Sequence, residues 1–190
     1  MDLCEIVNNV KVFGLEDSIR ASKYPMSVDV NSLTDELTDR VKSLGKCATG
    51  TGHDQFLTGI IVQFDLTFSL KAWTEAQRYH FLDFVSSQST MHRIAKMDVV
   101  NNCNPYVTRE AIENLLVLTK QYNDEPTPEN YLKVLYNIPT GFTLTARMTT
   151  NYRQLKTIYH QRKNHRLPEW RALCGWMEEL PYFRDICIQE

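Results

Sequence analysis

The chain has 190 residues, 21 Lys and Arg against 23 Asp and Glu, and 43% hydrophobic residues. A chain of this size buries on the order of 70% of the surface its unfolded form exposes, so it needs no disulfide or metal staple. The near balance of charge excludes a bulk electrostatic attraction to nucleic acid or to a membrane, and any anion site must be local.

In chain order, the N-terminal MDLCEIVNN carries acids where a signal peptide carries Lys or Arg. No apolar run reaches membrane-spanning length, and we expect a cytoplasmic protein. Cysteines at 4, 47, 103, 174 and 187 are odd in number and show no C-x-x-C or zinc pattern, which suits a reducing interior. Asn31 or Ser32 caps a predicted helix through Leu33, Leu37, Val41 and Leu44, with Gly45 as its stop. The loop GKCATGTGHD follows, residues 45–54, and then 59–70, rich in β-branched and aromatic residues, reads as a strand. Trp73, Ala76, His80, Phe81 and Phe84 recur at helical spacing.

Thr108 caps a predicted helix through Leu115 and Leu118, and Thr127-Pro128 opens another that ends near Pro139. Residues 142–150 alternate like a second strand. Asn151 caps a helix to about Lys163, and Pro168 opens a last helix that buries Trp170, Leu173, Cys174 and Met177. There is no internal repeat or linker, so the expectation is one α+β domain over 1–190.

Arg147, Arg153, Lys156, Arg162, Lys163 and Arg166 crowd into twenty positions. At 100° per residue, Leu155, Ile158, Tyr159 and Arg162 share one side of the helix from Asn151, and Arg153, Thr157, His160 and Asn164 the other. A desolvated guanidinium needs a carboxylate or phosphate. Arg162 therefore either meets such a group or snorkels to water at the helix end. Two chemically distinct faces imply two neighbours, one of them a ligand or a partner subunit. In SSQSTMHRIAKMD, 86–98, the hydroxyls, His92 and Arg93 suit a phosphate or heterocycle, or simply a polar helix end. The glycine loop reads most simply as a turn; if it meets a ligand, His53 and Asp54 are the residues best placed to touch it. No G-x-S-x-G, H-E-x-x-H, Walker loop or dinucleotide glycine motif is present.

MHRIAK, Met91 to Lys96, and TTNYRQLKTIYHQRKNHRLPEWRAL, Thr149 to Leu173, together resemble the flavin-dependent thymidylate synthases, also called thymidylate synthase complementing proteins. Their R-H-R-x-x-S signature and C-terminal N-x-R helix match over about 64–180. The resemblance implies a mixed or antiparallel sheet packed with a helical bundle, assembled as a homotetramer. It implies FAD held by His92, Arg93, Ile94, Asn151, Arg153, Thr157 and His165, with Arg162 at the catalytic centre on a deoxyuridylate or related pyrimidine nucleotide. Lys96 and Arg147 join Arg162 as substrate-binding residues. NADPH and methylenetetrahydrofolate are the implied co-substrates, and the chemistry is reductive methylation, with no direct nucleic-acid partner.

The chain departs from the pattern. Met91 and Lys96 replace the signature's first arginine and its serine, and DVVNNCN, Asp98 to Asn104, stands where the family has N-E-x-S-x-R-Y, whose serine and arginine hold the substrate phosphate. A lysine lacks the bidentate fork of arginine, so Lys96 restores that contact only in part. A second reading therefore stays open, a non-catalytic module that binds or sequesters a nucleotide or antagonises another protein. A third makes the basic helix an oligomer interface.

Overall fold

A computed structural model describes residues 6–189; Cys4 and the first residues of MDLCEIVNN lie outside it. Four strands form one sheet in the order β1-β2-β4-β3: Val7–Phe13, Ile61–Ser69, Thr143–Asn151 and Asp83–Ser87 for β1, β2, β4 and β3. Every pairing is antiparallel. The expected strands over 59–70 and 142–150 are β2 and β4, which pair over nine residues from Ile61↔Asn151 to Ser69↔Thr143. Alternation decides the faces: Val62, Phe64, Leu66 and Phe68 from β2, with Leu144, Ala146 and Met148 from β4, are buried.

That face is covered by helices α7, Tyr152–Arg162, and α8, Pro168–Met177. Asn151 caps α7 by accepting the Gln154 N–H at 2.9 Å, and Pro168 occupies the first turn of α8, where its missing N–H costs nothing. Trp170, Leu173, Cys174 and Met177 are buried as expected. Aromatic contacts join sheet to helices, with Phe64 to Trp176 centroids 4.7 Å apart and Phe68 to Trp170 5.0 Å apart. Helices α5, Arg109–Asp124, and α6, Pro128–Tyr136, are capped by Thr108 and Thr127. Helix α1, Leu15–Ala21, follows β1.

Three expectations need correction. The helix expected from Asn31 is a 3-10 turn, Val30–Ser32, followed by extended chain; helix α2 spans Asp39–Lys46, and its cap is Thr38, whose hydroxyl accepts the Val41 N–H at 3.4 Å. Gly45 lies inside α2 rather than ending it. A Cβ there would sit 2.3 Å from the Ile186 carbonyl of helix α9, Phe183–Cys187, so close approach of two helices is what requires glycine. The pattern from Trp73 to Phe84 is not one helix: α3, Leu70–Ala76, stops at Gln77, and Phe84 belongs to β3. Phe84 pairs with Met148 and packs on Trp73, centroids 4.9 Å apart, so the edge of β4 won the segment from its helical periodicity. Among the described residues no helix is long and apolar enough to cross a membrane.

Candidate functional site

Helix α7 carries the site because its first turn continues β4 directly, so that Asn151 is at once strand end and helix cap. Leu155 and Ile158 are fully buried and Tyr159 nearly so. The opposite side opens into two abutting cavities. One, of about 480 Å³, is lined by Thr49, Gly50, Thr58 and, from α7 and its cap, Asn151, Arg153, Gln154 and Thr157. The other, of about 450 Å³, is lined by Arg78, Tyr79, His80, Gln161 and Arg162. Phe81, Gln154 and Thr157 line both, which makes one groove along the helix. Gly50, at φ 97°, turns the loop at its rim in a conformation an L side chain resists.

This revises the expected division of the helix into an Arg153 face and an Arg162 face. The groove stripe is Gln154, Thr157 and Gln161, at 3.6-residue spacing, with Arg153 at one end and Arg162 at the other. Long side chains reach around the helix to a common groove, which azimuth alone does not capture. His160 is turned the other way, its Nε2 3.3 Å from the Cys187 carbonyl.

Arg153 donates Nε to Asp54 Oδ1 at 3.1 Å and Nη1 to Gln55 Oε1 at 3.0 Å, and its side chain is 29% exposed. Asp54 is fully buried and takes a second cation, Lys156, whose Nζ lies 3.0 Å from Oδ2. Lys156 also donates to the carbonyls of Gly45, at 2.7 Å, and Cys47, at 2.6 Å. Asp54 is thus the pin that holds the glycine loop on α7, not a ligand contact. His53 is exposed and lines a separate cavity with Arg40 and Met26. Neither residue lines the α7 groove, which agrees with the simpler reading of this loop as a turn.

At the other end, Glu75 of α3 is the hub. Its Oε2 accepts from Arg162 Nη1 at 3.3 Å and Trp170 Nε1 at 3.2 Å, and Lys71 Nζ is 3.5 Å from Oε1. Arg162 Nε donates to Tyr79 Oη at 2.7 Å, and its guanidinium lies 4.9 Å from the Trp170 ring centre and 5.6 Å from that of Tyr79. The carboxylate that a desolvated Arg162 requires is therefore supplied within the chain. His165 accepts the Leu167 N–H on Nδ1 at 3.2 Å, which puts its proton on Nε2, 3.4 Å from Glu75 Oε2. Burial, aided by the Arg162 charge, holds its pKa below the ordinary histidine value. Both ring nitrogens are engaged internally.

The 90–96 segment stands apart. Helix α4, Thr90–Arg93, runs into a 3-10 turn, Ile94–Lys96, held against α5 and α6 by Asn123 donating to the Ala95 carbonyl at 3.4 Å and Tyr131 donating to the Met91 carbonyl. His92, Arg93 and Lys96 are exposed. Ile94 is fully buried, so a cofactor contact through its side chain does not fit; it anchors the exposed pair to the core. Among the described residues, no hydrogen bond, ion pair or shared cavity joins His92, Arg93 or Lys96 to the α7 groove. Arg147 is on the outer face of the sheet, where Nη1 bonds the Asn9 carbonyl at 2.7 Å and Asp65 Oδ1 at 3.2 Å; the Asn9 amide and this arginine lower the Asp65 pKa. Asn102 and Cys103, in the altered DVVNNCN stretch, bond β4 at Thr143 and bridge to Phe142, so this stretch serves the fold.

Glu75, Tyr79, Gln154 and Gln161 were missed by the sequence reading, and Lys156 was seen only as one of the clustered cations. A carboxylate in the TEAQRYH stretch is the one signal that pointed to Glu75, but nothing local links position 75 to 162.

No protein-family model and no curated protein sequence matches the chain. Solved structures do. A flavin-dependent thymidylate synthase ThyX from Helicobacter pylori, complexed with FAD and dUMP, aligns with a TM-score of 0.74 at 15% identity over 96% of this chain and 99% of that one. A second structure of the Helicobacter pylori enzyme with FAD and dUMP gives 0.75 at 14% identity, over 94% and 95%. A UMP/dUMP methylase PolB from Streptomyces cacaoi, bound with 5-Br dUMP, gives 0.63 at 14% identity, over 94% and 92%. The chain therefore has the fold of the flavin-dependent thymidylate synthases.

Proposed function

We propose that the protein is a divergent FAD-dependent thymidylate synthase-like protein, acting in the cytoplasm as a single-domain homotetramer on dUMP or a related pyrimidine nucleotide. The observation that carries this reading is the groove on α7, which presents Asn151, Arg153, Thr157 and Arg162 in a fold whose solved relatives are named as FAD and dUMP complexes. Arg153 spends Nε and Nη1 on the loop and keeps Nη2 for a ligand acceptor. Asn151 spends its carbonyl oxygen as a cap and keeps its amide N–H groups. Thr157 and the exposed Phe81 ring complete a wall suited to a ribityl or nucleotide chain and a flat ring.

A bound flavin would supply hydride transfer from NADPH, with methylenetetrahydrofolate as carbon source. The chain's own task is to orient the two ligands and exclude water. Since His92, Arg93 and Lys96 are remote from the groove within one chain, they serve the groove of a neighbouring copy. Arg162 reaches the pyrimidine by exchanging the Glu75 carboxylate for a ligand acceptor, which also frees His165. Arg147 and Lys96 provide cations for the phosphate in place of the missing arginine.

The purified protein should be yellow, or load with FAD, and should release tritium from 5-tritiated deoxyuridylate when given methylenetetrahydrofolate and NADPH. Protein that stays colourless with excess FAD refutes the reading. The engagement of Arg162 and His165 by Glu75 favours a second one, a nucleotide-binding or nucleotide-sequestering module without turnover. Calorimetry against pyrimidine nucleotides separates them: tight binding without product supports the second, and turnover excludes it.

A further inference from the structure

A cavity of about 660 Å³, the roomiest of those described, lies between α3, the start of α5, the 139–141 turn and the α7–α8 turn. It shares no lining residue with the α7 groove. Val107, Ala111, Pro139, Leu167 and Pro168 make much of its wall apolar, and four charged residues, Lys71, Arg166, Glu169 and Arg171, line it.

Those charges do not neutralise one another. Arg171 gives Nη1 to the carbonyls of His165, at 2.6 Å, and Arg166, at 2.9 Å, which stiffens the α7–α8 turn. Lys71 pairs with Glu75, outside the lining. Among the described residues, the Arg166 guanidinium and the Glu169 carboxyl have no hydrogen bond or ion pair at all. Glu169 is only 2% exposed. Its carboxyl oxygens are not among the buried atoms left without a partner, so they carry the little surface the residue keeps, and they open onto the cavity that Glu169 lines. Neither Arg166 nor Lys71 comes within 4 Å of it, although all three line one cavity.

We propose that this cavity is a second nucleotide site, selective for a guanine-type base: Glu169 pairs with adjacent N–H donors on the base, and Arg166, with Lys71, holds the phosphate. A carboxylate offers two acceptor oxygens to a donor pair such as guanine N1–H and N2–H2. Adenine offers one amino group beside an acceptor, and uracil one N–H between two carbonyls, so neither satisfies Glu169. The apolar part of the wall suits a ring, and the volume is that of an ordinary small-molecule site. This chemistry differs from that of the pyrimidine site proposed on α7, and neither proposal depends on the other.

Calorimetric titration of the full chain with GMP, AMP and inorganic phosphate tests it, without flavin or folate. GMP should bind about tenfold or more tightly than AMP or phosphate, the worth of one charge-assisted pair. Glu169→Gln should erase the preference for GMP over AMP while phosphate binding persists. Arg166→Ala, at an exposed position, should weaken GMP and phosphate together, and Arg153→Ala, in the α7 groove, should leave GMP binding unchanged. Equal affinities for GMP and AMP, binding of phosphate alone, or a GMP preference that survives Glu169→Gln overturns the proposal; the first and second need no variant.

Discussion

Asp54→Asn removes one charge and no volume from a pin that is fully buried between Arg153 and Lys156. Lys156 is left with the carbonyls of Gly45 and Cys47 as its only acceptors of full strength, at 1% exposure. Removing one partner of a buried ion pair costs about 3–5 kcal/mol, because the remaining charge has lost both water and its counter-charge. The two carbonyls, together with the retained amide oxygen, place this case at the lower end, about 3 kcal/mol. For a chain of this length that lowers the melting temperature by about 6–12 °C. Calorimetry or circular dichroism melts at pH 7 read it directly. The double variant Asp54→Asn/Lys156→Met, which removes the stranded ammonium and keeps an aliphatic side chain in its place, should recover most of the loss. A drop below about 2 °C for Asp54→Asn, or a double variant no better than the single one, would refute the account, since a 3 kcal/mol change cannot hide in such a shift.

Arg162→Ala loses the Glu75 bond and the stack on Trp170, together about 2–3 kcal/mol by chemical denaturation; an unchanged denaturation midpoint with a dissociated assembly would instead mark an oligomer contact. With a folded pKa below the ordinary histidine value of about 6.5, His165 binds fewer protons folded than unfolded. Its contribution to stability is therefore complete above about pH 6.5 and declines as pH falls through the lower folded value, and His165→Gln should flatten that acid-side slope; an NMR titration midpoint above 6.5 contradicts it. Burial raises the thiol pKa of Cys174 to about 12 and that of Cys187 further. A thiol reagent should accordingly label half-buried Cys47 in the native protein, and Cys103, Cys174 and Cys187 only on unfolding; native labelling of Cys174 at the Cys47 rate would be the contrary result.

Much of the fold was legible locally. Strands β2 and β4 announced themselves through alternation, and Thr108, Thr127, Asn151 and Pro168 marked helix starts because caps are satisfied by neighbours two or three residues away. Strands β1 and β3 did not: Val7–Phe13 and Asp83–Ser87 are mostly exposed and hold no period of their own, and their pairing partners lie 48 or more residues away.

The candidate site divides in the same way. Sequence alone established the basic helix, its cap at Asn151, its buried stripe and the resemblance that the solved structures bear out at the level of fold. Tertiary structure alone decided what each cation meets. Arg153 and Lys156 converge on Asp54, about a hundred residues back, and Arg162 finds Glu75, 87 residues back. Periodicity fixes the azimuth of a side chain on its helix, but the carboxylate that neutralises it is chosen by packing, and packing brings together residues whose separation in sequence carries no local signal.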